Sequence, residues 1–271
     1  MINGKTELYG IVGHPVAHSL SPAIHNAGFR SLGLNKVYVP LPVTDLKAAI
    51  IGLRALGFRG VSVTIPHKRK VLDLIDSVEP PAAKIGAVNT LVMDKKGGIH
   101  GLNTDWLGAN RALEEEIRLA GSRILVIGAG GAARAIGFGL REAGAEVILV
   151  NRTKDRAAAL ARSLHCDYTT PEKIGDVAAD ALVNATSVGM EPGDDKTPVP
   201  PLAVGNFPVV MDIVYAPRQT RLLREAAAAG CRTIDGLQML LYQGVAQFEL
   251  WTGKEAPVQE MRRALVGALP A

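Results

Sequence analysis

Short apolar runs alternate along this chain with longer stretches whose apolar positions recur every three or four residues, a pattern that predicts strands interleaved with helices. Leu8 to Val12 and Val37 to Leu41 read as strands, and Pro22 to Leu32 and Leu46 to Leu56 as helices. Gly60 to Ile65 is the clearest strand of the first half, because Val61, Val63 and Ile65 alternate with Ser62 and Thr64. Pro66 then suits the first position of a helix, where its missing N–H is no loss, and this puts Lys68 in a first helical turn. Thr90 to Met93, the turn Lys95-Lys96-Gly97-Gly98 and the segment reaching Gly101-Leu102 read as a hairpin, with a helix from Trp106 to Ala120 after it.

From residue 124 the rhythm becomes that of a βαβ unit: strand Ile124 to Ile127, a glycine turn, helix Ala132 to Ala143 and strand Val147 to Val150. Ala181 to Asn184 and Val209 to Ile213 fit further strands, residues 191–196 an exposed loop, and Met239 to Trp251 and Val258 to Leu269 two closing helices. Continuity alone attaches those helices to the second half.

Composition narrows the class. A chain of 271 residues, 48% hydrophobic and only 4% aromatic, buries a sizeable core and favours α/β layers of small and branched side chains over a β-sandwich. The net charge of +4 is dispersed; the longest basic run, His67-Lys68-Arg69-Lys70, lacks interleaved aromatics, so small anions are expected as ligands and nucleic acid is not. Cys166 and Cys231 stand far apart with no metal-ligand spacing, so no disulfide and no metal are expected. The first residues carry no apolar signal core and no run is long enough for a membrane span, which points to a cytoplasmic protein.

Three constellations carry chemistry. Gly128-Ala129-Gly130-Gly131-Ala132-Ala133 has the G-x-G-x-x-A form of a dinucleotide turn, with Gly128 for the tight bend, Gly130 for close approach of a pyrophosphate and Ala133 for helix–strand packing. After the second strand stand Asn151-Arg152-Thr153, with Arg156 close behind; no carboxylate is placed for a bare ribose, and arginine suits the 2′-phosphate of NADP. In the first half, Ser19 and Ser21 flank the start of the Pro22 helix, Ser21 as a natural N-cap, and form either a carboxylate receptor or a plain cap. Lys68 and Asp105 each follow a strand, where α/β proteins collect functional groups. They read as a proton-transfer pair or as a solvated cation and a helix cap, and the residues alone do not decide.

Taken together, Gly13 to Asn26, residues 63–68, Ile85-Gly86-Ala87-Val88-Asn89-Thr90, Asn103-Thr104-Asp105, the Gly128 turn, Asn151-Arg152-Thr153, residues 184–190 and residues 235–240 resemble the shikimate dehydrogenase family from end to end. The resemblance implies NADP-dependent interconversion of shikimate and 3-dehydroshikimate, on the route to chorismate and the aromatic amino acids. It implies that Lys68 and Asp105 are the catalytic pair, and that Ser19, Ser21, Thr64, Lys68, Asn89, Asp105, Tyr215 and Gln243 contact the substrate. It places NADP against Gly128, Ala129, Gly130, Gly131, Ala132, Asn151, Arg152, Thr153, Arg156, Ile213 and Gly236. It also redraws the domains as a substrate domain over residues 1–105, a Rossmann-type NADP domain over 106–237 and C-terminal helices over 238–271 that return to the substrate domain, with the cleft between. Such an enzyme is expected as a monomer or homodimer. A quinate/shikimate dehydrogenase that accepts NAD, and a non-catalytic NADP or metabolite sensor, are the alternatives. Trp106, where many members have glycine, is the one departure and raises the question of crowding beside Asp105.

Overall fold

The computed structural model describes residues 2–269; Met1, Pro270 and Ala271 lie outside them. The chain divides into two compact units, one of residues 1–104 with 243–271 and one of residues 105–242. The first opens with β1 (Glu7–Gly13), α1 (Ser21–Ser31), β2 (Lys36–Pro42), α2 (Leu46–Ala55) and β3 (Gly60–Val63), and continues with β4 (Ser77–Val78), α3 (Pro80–Ile85), β5 (Thr90–Met93) and β6 (Ile99–Leu102). Its sheet has the order β2-β1-β3-β5-β6-β4. β1 is parallel to β2 and β3, whereas β5 runs antiparallel to both β3 and β6. One face of this sheet buries Val12, Val61, Val63 and Leu91 against Ile50 and Leu53 of α2, a merged apolar cluster from elements distant in sequence.

The second unit begins with α4 (Asp105–Glu114), β7 (Arg123–Ile127), α5 (Gly131–Glu142), β8 (Glu146–Val150), α6 (Lys154–Leu164) and β9 (Asp167–Thr169). It goes on through β10 (Ala181–Asn184), α7 (Pro201–Val204), β11 (Val209–Asp212), α8 (Arg221–Ala228) and β12 (Arg232–Ile234). All strands are parallel, in the order β12-β11-β10-β7-β8-β9. The chain leaves β7 toward one edge and returns to β10 to build toward the other. The topological switch point, where open α/β sheets form a crevice, therefore lies between the C-terminal ends of β7 and β10.

α9 (Gly236–Thr252) and α10 (Val258–Gly267) close the chain. From Gln243 on they belong to the first unit, and small residues make their seat. A β-carbon on Gly60 would come within 2.4 Å of the Trp251 indole nitrogen, and one on Gly28 within 2.7 Å of Phe248. The Trp251 Nε1–H donates to the Leu91 carbonyl at 3.0 Å.

Several sequence expectations need correction. The Pro22 helix starts one residue earlier: Leu20, already near helical dihedrals, is its N-cap, and Ser21 makes no cap hydrogen bond. Ser19 serves that end instead, its Oγ accepting the Ser21 N–H at 3.3 Å. Pro66 opens no α-helix. The segment closes as a turn in which His67 N–H donates to the Thr64 carbonyl at 2.8 Å, and only a 3₁₀ helix over Lys70–Leu74 follows, so Lys68 sits in a turn. β3 stops at Val63 because Thr64 has already left the ladder with β5. The Trp106 helix ends at Glu114 and not near Ala120; three consecutive glutamates crowd that end, and Arg232 takes the Glu116 carbonyl at 2.6 Å. No helix among the described residues is long and apolar enough to cross a membrane, and no group of His, Cys, Asp and Glu there would hold a metal.

Candidate active site

In the first unit the strand ends bring the expected substrate residues into one neighbourhood through backbone lacing. Thr64 N–H donates to the Val12 carbonyl at 2.9 Å, and His14 N–H to the Ile65 carbonyl at 3.0 Å. The Lys68 carbonyl accepts from Val88 N–H at 2.8 Å, and the Asn89 carbonyl from Val63 N–H at 2.7 Å. Thr64, Lys68 and Asn89 therefore sit on adjacent segments beside the C-terminal ends of β1 and β3, with the loop carrying Ser19 into α1 leaving the same edge. Gly13 is required there, since a β-carbon on it would lie 2.3 Å from the Thr64 side chain. Asn89 is buried and held firmly: its Oδ1 accepts Thr104 N–H at 2.7 Å and its Nδ2 donates to Thr104 Oγ1 at 3.0 Å. Gln243 is buried on α9, and the next residue, Gly244, packs against Ile24 and His25 of the first unit.

Asp105 and Tyr215 belong to the second unit. Asp105 is the first residue of α4 and is buried, directly after Thr104 in the chain. Tyr215 is half-buried in the segment after β11, where desolvation raises its phenol above the ordinary tyrosine range. Trp106 turns out to serve packing: its ring meets Phe138 edge-on at 5.8 Å and its β-carbon fills the space above Gly139, where any side chain would collide. The departure at this position is thus accommodated by α5 within the same unit.

The dinucleotide turn has the geometry that its sequence predicts. Gly128 adopts φ of +125°, and a β-carbon there would meet the Ala185 carbonyl at 3.1 Å, which sets the turn against the segment after β10, at the switch point. Around Gly130 and Gly131 there is open space where side chains would stand. α5 starts without a side-chain cap or an acidic residue in its first turn, so its N–H groups and dipole are left for an anion. Asn151 shapes the loop after β8 by donating from Nδ2 to the Thr153 carbonyl at 2.9 Å. Arg152 and Arg156 are exposed beside it, and among the described residues no carboxylate pairs with either. Ile213 and Gly236 meet directly: a β-carbon on Gly236 would fall 2.5 Å from the Ile213 carbonyl, so only glycine fits. These residues fit a dinucleotide carrying an extra phosphate.

A residue that sequence reading missed underlies this end of the sheet. Asp212, fully buried at the end of β11, accepts Asn184 Nδ2 at 2.9 Å, Val214 N–H at 3.0 Å and the Thr220 hydroxyl at 2.7 Å. It ties the segments after β10 and β11 to the N-cap of α8. Its only sequence signal was a carboxylate closing an apolar strand. Burial outweighs these donors and pushes the carboxyl up to about 6. A carboxyl raised above its unfolded value favours folding most at acid pH, and that contribution is lost as pH climbs through about 6. We expect Asp212→Asn, which keeps the shape, to remove about 2 kcal/mol of the stability difference between pH 4 and pH 7.5. Urea unfolding of both proteins across that range checks this, and parallel pH profiles would contradict it.

A groove of about 780 Å³ at the opposite end of the same sheet, lined by Arg123, Glu146, Arg162 and Cys166 among others, has little convergent chemistry. Arg123 is already paired with Glu146 at 3.0 Å, and burial pushes the Cys166 thiol up to about 11, away from reactivity.

Comparison with known proteins accords with this geometry. The shikimate dehydrogenase substrate binding domain matches residues 11–91, the shikimate / quinate 5-dehydrogenase family residues 109–192 and the shikimate 5'-dehydrogenase C-terminal domain residues 236–266. A shikimate dehydrogenase (NADP(+)) of Methanothermobacter thermautotrophicus is 50% identical, with 98% of each chain covered. The chain belongs to the shikimate dehydrogenase family. A shikimate dehydrogenase crystallised with NADP+ superposes with a TM-score of 0.94 at 41% identity, covering 100% of this chain and 98% of that one. The Thermus thermophilus family member, crystallised with NADP(H) and shikimate, gives a TM-score of 0.90 at 43% identity over 97% of this chain and 100% of that one. The expected α/β class and the NADP-binding Rossmann-type fold are both borne out.

Proposed function

We propose that the protein catalyses the reversible NADP-dependent reduction of 3-dehydroshikimate to shikimate, on the route to chorismate and the aromatic amino acids. The observation that carries this reading is the gathering of Thr64, Lys68 and Asn89 on laced segments at one sheet edge, beside the loop that delivers Ser19 and Ser21. Hydroxyls, a carboxamide and one ammonium are what a polyhydroxylated ring acid needs for recognition. Ser19 and Ser21 receive the substrate carboxylate; Thr64, Asn89 and Gln243 receive ring hydroxyls; Tyr215 stands near the carboxylate.

NADP, when bound, supplies the hydride that passes to or from C3 of the ring. The chain's own residues handle position and protons. In the reductive direction the Lys68 ammonium gives a proton to the C3 oxygen as the carbonyl becomes a hydroxyl; in the oxidative direction the amine takes it back. Asp105 orients Lys68 and a ring hydroxyl. The bare start of α5 with Gly128 to Ala132 takes the pyrophosphate, Asn151, Arg152, Thr153 and Arg156 take the adenosine phosphate end, and Ile213 and Gly236 line the nicotinamide. Small-molecule chemistry without nucleic acid, in the cytoplasm, as a monomer or homodimer, completes the reading.

The test compares kcat/KM for shikimate and quinate with NADP and with NAD. Shikimate with NADP is expected to exceed each other pairing by at least about tenfold, because a site built for one set of hydroxyls rejects another strongly. A preference for quinate or for NAD would overturn the assignment.

A further inference from the structure

A buried polar chain runs through the interior of the first unit to one of the proposed substrate contacts. The Tyr38 phenol donates to Ser62 Oγ at 2.7 Å, and Ser62 donates to Gln247 Oε1 at 2.8 Å. Gln247 Nε2 donates to Thr90 Oγ1 at 2.8 Å, and the Thr90 hydroxyl donates to Asn89 Oδ1 at 2.7 Å. Tyr38, Ser62, Gln247, Thr90 and Asn89 are all buried.

The fold builds this chain deliberately. Tyr38 pairs with Tyr9 and Ser62 with Ile11, so both side chains project from the same face of strands that flank β1. Gln247 enters that face from α9. β2 is an edge strand, and Asn26 of α1 binds its free edge at Tyr38: Nδ2 donates to the Tyr38 carbonyl at 2.8 Å, and Oδ1 accepts the Tyr38 N–H at 2.9 Å. The position of Tyr38 relative to α1 is fixed by this two-way clasp. Apolar side chains would fill positions 38, 62 and 247 with no polar groups to desolvate, so packing alone does not call for such a chain. What the chain does provide is direction. Each hydroxyl from Tyr38 to Thr90 passes its hydrogen toward Asn89, which fixes which way the Asn89 carboxamide faces.

We propose that Tyr38 and Gln247 are positioning residues of the substrate site, holding the Asn89 carboxamide at the end of the chain in the orientation that ring-hydroxyl recognition requires. This rests on the reading of Asn89 as a substrate contact. Neither Tyr38 nor Gln247 needs to touch the substrate.

Tyr38→Phe removes one oxygen and keeps the ring stacked on His25 at 4.5 Å. It is expected to raise KM for shikimate about tenfold, with kcat and KM for NADP changed by less than about twofold. Asn89→Ala should raise the same KM, and combining it with Tyr38→Phe should be no worse than Asn89→Ala alone, because Tyr38 acts through Asn89. Gln247→Leu and Asn89→Ala should show the same non-additivity. If Tyr38→Phe does not fold, Ser62→Ala breaks the chain at the next link without disturbing the aromatic stack and enters the same cycle. An unchanged shikimate KM in the Tyr38 or Ser62 variant, or full additivity with Asn89→Ala, overturns the proposal while leaving Asn89 as a substrate contact. An unchanged KM in Asn89→Ala itself removes the substrate reading of Asn89 and the positioning role with it.

Discussion

Replacing Lys68 by alanine is expected to lower kcat for shikimate oxidation by roughly 100- to 10,000-fold, the usual value of a placed general acid or base, while KM for shikimate moves far less. The expectation follows from where the residue stands. Lys68 lies in a turn whose backbone is pinned on both sides, by the His67 N–H to Thr64 bond at 2.8 Å and by its own carbonyl to Val88 N–H at 2.8 Å. That frame does not depend on the side chain, so the alanine variant keeps the loop and loses only the amine. Lys68→Arg separates the two things a lysine offers. Arginine keeps the positive charge but does not release a proton at working pH, so the variant should be nearly as slow as alanine if proton transfer is the role. Substantial turnover in Lys68→Arg would show that charge alone suffices, and near-parental kcat in Lys68→Ala would take Lys68 out of the mechanism. Melting temperatures and NADP titrations of both variants establish that fold and cofactor site are unchanged.

What the sequence made legible follows the physics of each segment. Ile124 to Ile127 is a short apolar run ended by glycine, and it forms a central parallel strand with Gly128 at positive φ, because few other backbones allow a strand to turn so tightly into a helix. The hairpin of β5 and β6 was legible from Lys95-Lys96-Gly97-Gly98 for a similar reason. Short edge elements were not. β4, β9 and β12 span two or three residues each and carry no periodicity, and they exist because a neighbouring strand offers its edge. Helix starts were misjudged where residue type outranked dihedral angles: Ser21 is a good cap by composition, yet the chain is already helical at Leu20.

The site was legible wherever glycine, proline or a charge marks it, and hidden wherever it depends on long-range partners. Gly128, Lys68 and Arg152 announce themselves locally. Tyr38 sits inside an apolar strand and reads as core, and its role emerges only when β3 and α9 bring Ser62 and Gln247 to it from residues far along the chain. Gln247 left one faint signal, standing one helical turn after Gln243. The seating of the C-terminal helices on the first unit was equally invisible to local pattern, since it rests on what Gly28 and Gly60 lack.

Arg152→Ala is expected to reduce kcat/KM for NADP by about ten- to a hundredfold while barely changing that for NAD, because a guanidinium grips the 2′-phosphate through charge-assisted hydrogen bonds that a bare ribose does not offer. The structure gives this residue the freedom the role requires. It is exposed at the tip after β8, no carboxylate among the described residues engages it, and the Asn151 side chain holds the loop by its bond to the Thr153 carbonyl at 2.9 Å. Arg152 itself is therefore not needed to keep the loop's shape. Arg156, exposed on the first turn of α6, should account for residual NADP preference in the single variant. Arg152→Asp goes further, because a carboxylate at this tip repels the phosphate and accepts hydrogen bonds from ribose hydroxyls, so the preference should shift toward NAD. Exposed charge contacts weaken as salt screens them, so the NADP advantage of the parent protein should shrink between about 0.05 and 0.5 M salt, and that of Arg152→Ala should shrink less. Equal losses for NADP and NAD in Arg152→Ala would mean that the arginine supports the loop and does not read the phosphate.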